Sequence, residues 1–160
     1  MTIAPYTSVD REAIWVALFQ WMVQQVGSLF VSIGRRHVPP PDLVTAAQPA
    51  LFVVQVKESH LPNKPPGAPT KLVLHGFLIV YCGAPVADEE IGQETVLAAT
   101  TLNALLLAID TALQPDNFSK GKFTLGGLVE HCWIDGDTDM DPGIFGDQAA
   151  AILNVHILVP

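Results

Sequence analysis

Apolar residues return every four positions through REAIWVALFQWMVQQV, at Ile14, Leu18, Met22 and Val26, and Trp15, Phe19 and Trp21 widen the stripe. That spacing predicts a helix, and aromatic residues on both flanks predict burial on more than one side. Thr7, Ser8 and Asp10 offer N-caps, and Gly27 ends the run. SLFVSIGRRHV, Ser28 to Val38, reads as a strand that Pro39-Pro40-Pro41 stops. A second strand, ALFVVQVKES, runs from Ala50 to Ser59. LPNKPPGAP, Leu61 to Pro69, holds four prolines and a glycine in nine residues. Such a segment cannot pair in a ladder, so it predicts a projecting hairpin arm or an irregular loop. TKLVLHGFLIVYCG, Thr70 to Gly83, is a third strand, apolar on both faces in its second half, as central strands are.

Asp88 offers a cap for a second helix, with Glu89 and Glu90 in the first turn, where the helix dipole favours anions. Ile91, Thr95, Ala98, Leu102, Leu105, Leu106, Ile109 and Leu113 then keep helical spacing until Pro115. KFTLGGLVEHCWI, Lys122 to Ile134, predicts a fourth strand, in which Gly126-Gly127 signals a bulge or a close backbone approach. After an acidic stretch, AAAILNVHILVP closes the chain as a fifth strand. The order is helix, strand, loop, two strands, helix, two strands. Hairpin links dominate, so the expected fold is α+β: one two-layer domain over residues 1–160, a largely antiparallel sheet of about five strands packed with two helices.

Composition sharpens the picture. Of the 160 residues, 49% are hydrophobic and only 15% charged, which argues against disorder and points towards subunit contacts covering apolar patches. A net charge of −8, with Arg35-Arg36 the only basic pair, argues against phosphate-backbone binding as the main activity. Cys82 and Cys132 lie in apolar stretches and read as buried thiols. MTIAPYTSVDRE has neither a basic start nor an apolar run, so no signal peptide is expected. Ala13–Gly34 is broken by polar residues and Thr95–Ile109 is too short to span a bilayer, so no membrane role is expected. The expectation is a soluble protein made in a reducing compartment.

Candidate chemistry is sparse. IDGDTDMDPGIFGD places five aspartates between Asp135 and Asp147. An EF-hand register from Asp137 puts Pro142 sixth and Gln148 twelfth, and one from Asp135 puts Met140 and Gly146 there, so neither supplies the glycine turn or the closing carboxylate. A solvated acidic connection between strands is the expectation, with a calcium- or ligand-binding module using loop 135–147 as the alternative. His37, His60, His75, His131 and His156 show no HExxH spacing. His75, His131 and His156 can share one sheet face as ordinary strand residues, while His131 and Cys132 point to opposite faces. There is no GxSxG elbow, P-loop or GxGxxG after a strand, so no catalytic residue, no metal and no cofactor is expected.

Three stretches together resemble the tail terminator, or tail completion, proteins of long-tailed bacteriophages. One is REAIWVALFQWM followed by a strand carrying Gly34-Arg35-Arg36. Another is PALFVVQVKES paired across the Pro-rich arm with KLVLHGFLIVYCG. The last runs from LNALLLAIDTALQP through TLGGLVEHCWIDG and the acidic loop to NVHILVP. The resemblance covers nearly the whole chain, through patterns of hydrophobics and turns. It implies a structural virion protein, not an enzyme, assembled in the host cytoplasm and placed at the head-proximal end of the tail. It implies a ring, usually of six copies, that caps the tail tube, ends its growth and meets the head's neck or connector proteins. DNA would pass through the channel without specific binding. Candidate assembly contacts are Arg35 and Arg36, and Leu61, Asn63 and Lys64 of the arm at about 61–69, which its prolines stiffen for docking on a partner. Asp137, Asp139 and Asp141 complete them, with charges that would face either the channel or a neighbouring subunit's Arg35 and Arg36. Low charge suits ring contacts, and net acidity suits a lumen that must not retain DNA.

Overall fold

The first helix forms where its stripe predicts. In a computed structural model, which describes residues 9–39, 42–61, 71–83, 93–141 and 148–160, α1 spans Arg11–Val26. Asp10 is the cap, its carboxylate accepting the Ala13 N–H at 2.9 Å, which satisfies one of the donors a helix start leaves open. Thr7 and Ser8 lie outside the described residues. Ile14, Trp15, Leu18, Met22 and Val26 are buried, and Phe19 and Trp21 pack on the core's margin. The Trp21 indole N–H donates to the Ala112 carbonyl, tying α1 to the end of the second helix, α2 (Gln93–Ala112). On α2, Leu102, Leu105 and Ile109 are buried, as the spacing predicts. Its expected start at Asp88, Glu89, Glu90 and Ile91 lies outside the described residues.

The strands are β1 (Ser32–Gly34), β2 (Ala50–Leu61), β3 (Lys71–Gly83), β4 (His131–Ile134), β5 (Asp139–Asp141) and β6 (Gln148–Leu158). They form one sheet in the order β1-β2-β3-β6-β4, with β5 also on β6, beyond β4. β1 runs parallel to β2 and every other pairing is antiparallel. β3 is central, as its two apolar faces predict. The fold is therefore α+β, with both helices on one face of a mixed, mostly antiparallel sheet. Leu51, Val53, Leu74, Leu78, Val80, Leu153, Val155 and Ile157 meet the helices in one core. At Gly76 of β3 a side chain is missing where the Trp15 ring and the Val54 carbonyl come closest. The opposite face carries a smaller cluster, Ala50, Phe52, Ile79 and Tyr81, on which Val38 and Leu43 pack. His37 covers that end too, its Nε2 lying 2.8 Å from the Tyr81 hydroxyl. Cys82 and Cys132 are free and buried, and burial pushes the Cys132 thiol up to about 12.

Three expectations need correction. The strand expected over Ser28–Val38 is a 3-10 turn at Gly27–Leu29 followed by only three paired residues. Where the pairing stops, the Arg35 side chain bonds Glu12 and Gln55 at the surface. The strand expected over Lys122–Ile134 shrinks to His131–Ile134. Its first half is a turn in which Leu125, Gly126 and Gly127 have φ of 50°, 70° and 93°, a region glycine enters without cost. The two glycines thus build a left-handed turn and not a bulge. The acidic connection, finally, is partly a strand: Asp139–Asp141 pairs with Ala150–Ile152.

Asp116 organises the left-handed turn at Leu125–Gly127. Its carboxylate accepts the Thr124 N–H at 2.8 Å, the Thr124 hydroxyl at 2.9 Å and the Gly126 N–H at 3.0 Å. Burial alone would raise this carboxyl, but the bonds from Gly126 and Thr124 outweigh it and hold it below the usual range. Asp116→Ala is expected to cost about 1–2 kcal/mol in urea denaturation at neutral pH, because several donors lose a charged acceptor. The wild-type advantage is present above about pH 4, the unfolded value, and fades as pH falls through the lower folded one. An equal difference at pH 7 and pH 2.5 would contradict this role.

Candidate functional site

The ladder places β1 and β5 at the same level on opposite edges of the sheet. Ser32, Ala50, Tyr81, Ala150 and Asp141 form one cross-strand row; Ile33, Leu51, Val80, Ala151 and Met140 the next; Gly34, Phe52, Ile79, Ile152 and Asp139 the third. Among the described residues no further strand pairs with either edge. Each edge therefore presents backbone N–H and C=O groups of the kind that template strand pairing.

The two edges carry opposite charge. Next to β1 stand Arg35 and Arg36. Arg35 is committed within the chain: its guanidinium is paired with the Glu12 carboxylate and donates to Gln55 Oε1 at 3.3 Å. That pairing holds Glu12 below the usual carboxylate range. Arg36 is exposed. At the other edge Asp137, Asp139 and Asp141 are exposed, and the Asp137 carbonyl accepts from the Asn154 amide at 3.0 Å. Apolar side chains accompany both: Leu29 (48% exposed) and Val31 (63%) beside β1, and Met140 (50%) in β5. Leu61 ends β2 opposite Lys71, at the far end of the β2–β3 hairpin from Arg35, so it is level with neither β1 nor β5. Asn63, Lys64 and the rest of the arm lie outside the described residues.

Compared with known proteins, the chain matches no family model and no curated protein sequence.

A second feature occupies the half of the helix-free face that His37, Val38 and Leu43 leave open. Lys57, His75, His156 and Trp133 are direct cross-strand partners on β2, β3, β6 and β4. The His75 and His156 rings meet edge to face at 4.3 Å, Trp133 lies 5.5 Å from His156, and His131 stacks on Trp133 at 4.8 Å. Ser59 Oγ is 2.9 Å from His75 Nε2, and Asp135 Oδ2 is 3.3 Å from His156 Nδ1. A groove of about 290 Å³ runs between Val56, Lys57, His75, Phe77, Asn154 and His156. The shared face of His75, His131 and His156 is legible from strand alternation; Lys57, Ser59, Trp133 and Asp135 join them through register, which no single stretch of sequence shows. Among the described residues, no group of three or more His, Cys, Asp or Glu stands close enough to hold a metal ion. No described helix is long and apolar enough to cross a membrane.

Proposed function

We propose that the chain is a structural virion protein of the tail-terminator kind, which joins head to tail with copies of itself into a ring capping a phage tail tube. The observation that carries this reading is the pair of level, opposite sheet edges, one with Arg36 beside Leu29 and Val31, the other with Asp137 and Asp139 beside Met140. A contact between two different patches of the same chain repeats around an axis, and it closes into a ring when the rotation allows. Opposite charges set register and disfavour like-edge pairing, while the apolar side chains supply burial. The resemblance of element order and strand pattern to tail terminators supplies the rest: tube protein on one face, neck proteins on the other, and DNA passing without specific binding.

Negative-stain electron microscopy of the purified protein, alone and added to tail tubes, tests the proposal. Closed rings, and rings at tube ends, are expected. A monomer that leaves tubes uncapped would overturn it. The rival reading, a calcium module built on loop 135–147, is separated by a thermal melt with and without EDTA. A ring-forming protein without resident metal keeps its melting temperature on chelation, and a loss of several degrees would favour the rival.

A further inference from the structure

The open half of the helix-free face concentrates cationic and protonatable groups in a strongly acidic protein. From β2 it receives Lys57 and the Ser59 hydroxyl, from β3 His75, and from β6 Asn154 and His156. From β4 come His131 and Trp133, and the one carboxylate described in contact with the row is Asp135, against His156. Asp135 serves His156, and the Asn154 amide is spent on the Asp137 carbonyl. Lys57 and His75 face each other across the β2–β3 ladder at the groove, which Val56 and Phe77 also line.

We propose that this groove is a binding site for a carboxylate group, held by Lys57 and His75 with His156 beside them. The geometry supplies what such a site needs: an ammonium and an imidazole able to donate to one anion, and a second imidazole within ring contact. The Ser59 hydroxyl fixes Nε2 of His75, which leaves Nδ1 as the nitrogen for the ligand. The bare site is poised to take up a proton with its anion. Burial first, then the charges of His156 and Lys57, hold His75 below the ordinary histidine value, and Asp135 only partly offsets them. A bound carboxylate reverses that balance and favours the imidazolium, so binding tightens as pH falls through the histidine range. A rise of one unit in the His75 value on binding corresponds to about tenfold in affinity. Without ligand the sign is opposite. A depressed folded value means that the unfolded chain binds protons first, so stability falls as pH drops below about 6.5.

The groove would bind its carboxylate whether or not the chain forms a ring. The groove either takes a free carboxylate or takes an acidic side chain from another polypeptide, and both sources present the same chemistry. The test is NMR of the histidine ring protons of the full chain, titrated with succinate and, separately, with a synthetic peptide of sequence IDGDTDMD. Saturable shifts of His75 and His156 are expected, at least about fivefold tighter at pH 6 than at pH 8. Lys57→Met and His75→Gln, each checked for native strand content by circular dichroism, are expected to weaken binding about fivefold or more. Peptide affinity well above that of succinate would assign the carboxylate to an acidic segment such as 135–141 of a second copy; equal affinity would assign it to a free acid. Absence of saturable shifts for both ligands at pH 6, or binding untouched by Lys57→Met, would overturn the proposal.

Discussion

Gly76→Ala is expected to destabilise the protein by about 3 kcal/mol, at the upper end of what overpacking a core costs. A Cβ at this position would stand 2.5 Å from Trp15 Cη2, 2.9 Å from Trp15 Cζ3 and 2.6 Å from the Val54 carbonyl oxygen. The Trp15 ring is buried among Ile14, Leu18 and the sheet, and it can yield only by displacing α1. The Val54 oxygen belongs to the neighbouring strand, so retreat there means opening the β2–β3 ladder next to its irregularity at Gln55/Lys57. The indole therefore lies on the strand because β3 has no side chain beneath it. In a chain of this size the loss corresponds to a melting temperature lowered by roughly 6–12 °C. Trp15→Leu in the same background is expected to recover only part of it, since the carbonyl remains. A loss under about 1 kcal/mol would show that the helix does not rest on Gly76.

Leu102→Ala is expected to cost about 2–5 kcal/mol in denaturant melts. Leu102 is fully buried on the face of α2 that also carries Leu105 and Ile109, and it shares the core with Leu153, Val155 and the α1 stripe. Removing the isobutyl group leaves a void between helix and sheet that neither element can close without moving the other. Leu107, on the same helix, is 67% exposed and serves as the control; Leu107→Ala should stay within about 0.5 kcal/mol. Equal effects of the two substitutions would mean that α2 presents another face to the sheet.

Both helices are legible because each has one buried side, and a one-sided element writes its period into the sequence. The expectation that α1 is buried on more than one side is corrected, since Phe19 and Trp21 only widen the margin of that single stripe. Ile14, Leu18, Met22 and Val26, or Leu102, Leu105 and Ile109, need no knowledge of their partners. β3 was legible for the complementary reason: burial on both sides of Leu78–Tyr81 leaves no polar alternation. The stretches read too long, Ser28–Val38 and Lys122–Ile134, contain suitable strand residues whose backbone goes elsewhere. Past the end of the ladder the Arg35 side chain bonds Glu12, far back in the chain, and Asp116 takes the N–H groups of Thr124 and Gly126. Local propensity cannot see such partners. β5 was hidden because Asp-Met-Asp is a poor strand by composition; it pairs because β6 extends past the short β4 and offers it an edge. For the same reason the acidic stretch read only as a connection, and its level relation to Arg35 and Arg36 appears only when five strands are laid side by side. The histidine row is similar: alternation puts each residue on a face, and register decides which residues meet.

Sedimentation velocity on wild type and edge-charge variants tests the head-to-tail contact most directly. The wild type should sediment as one closed oligomer. Arg36→Glu alone, and Asp137→Lys with Asp139→Lys, should each shift the protein to monomer by setting like charges against each other across the contact. The chain carrying all three substitutions restores opposite charge with the polarity reversed, and it should regain the closed oligomer. A wild type that remains monomeric across the concentration range, or an oligomer indifferent to both single-edge variants, would contradict the account.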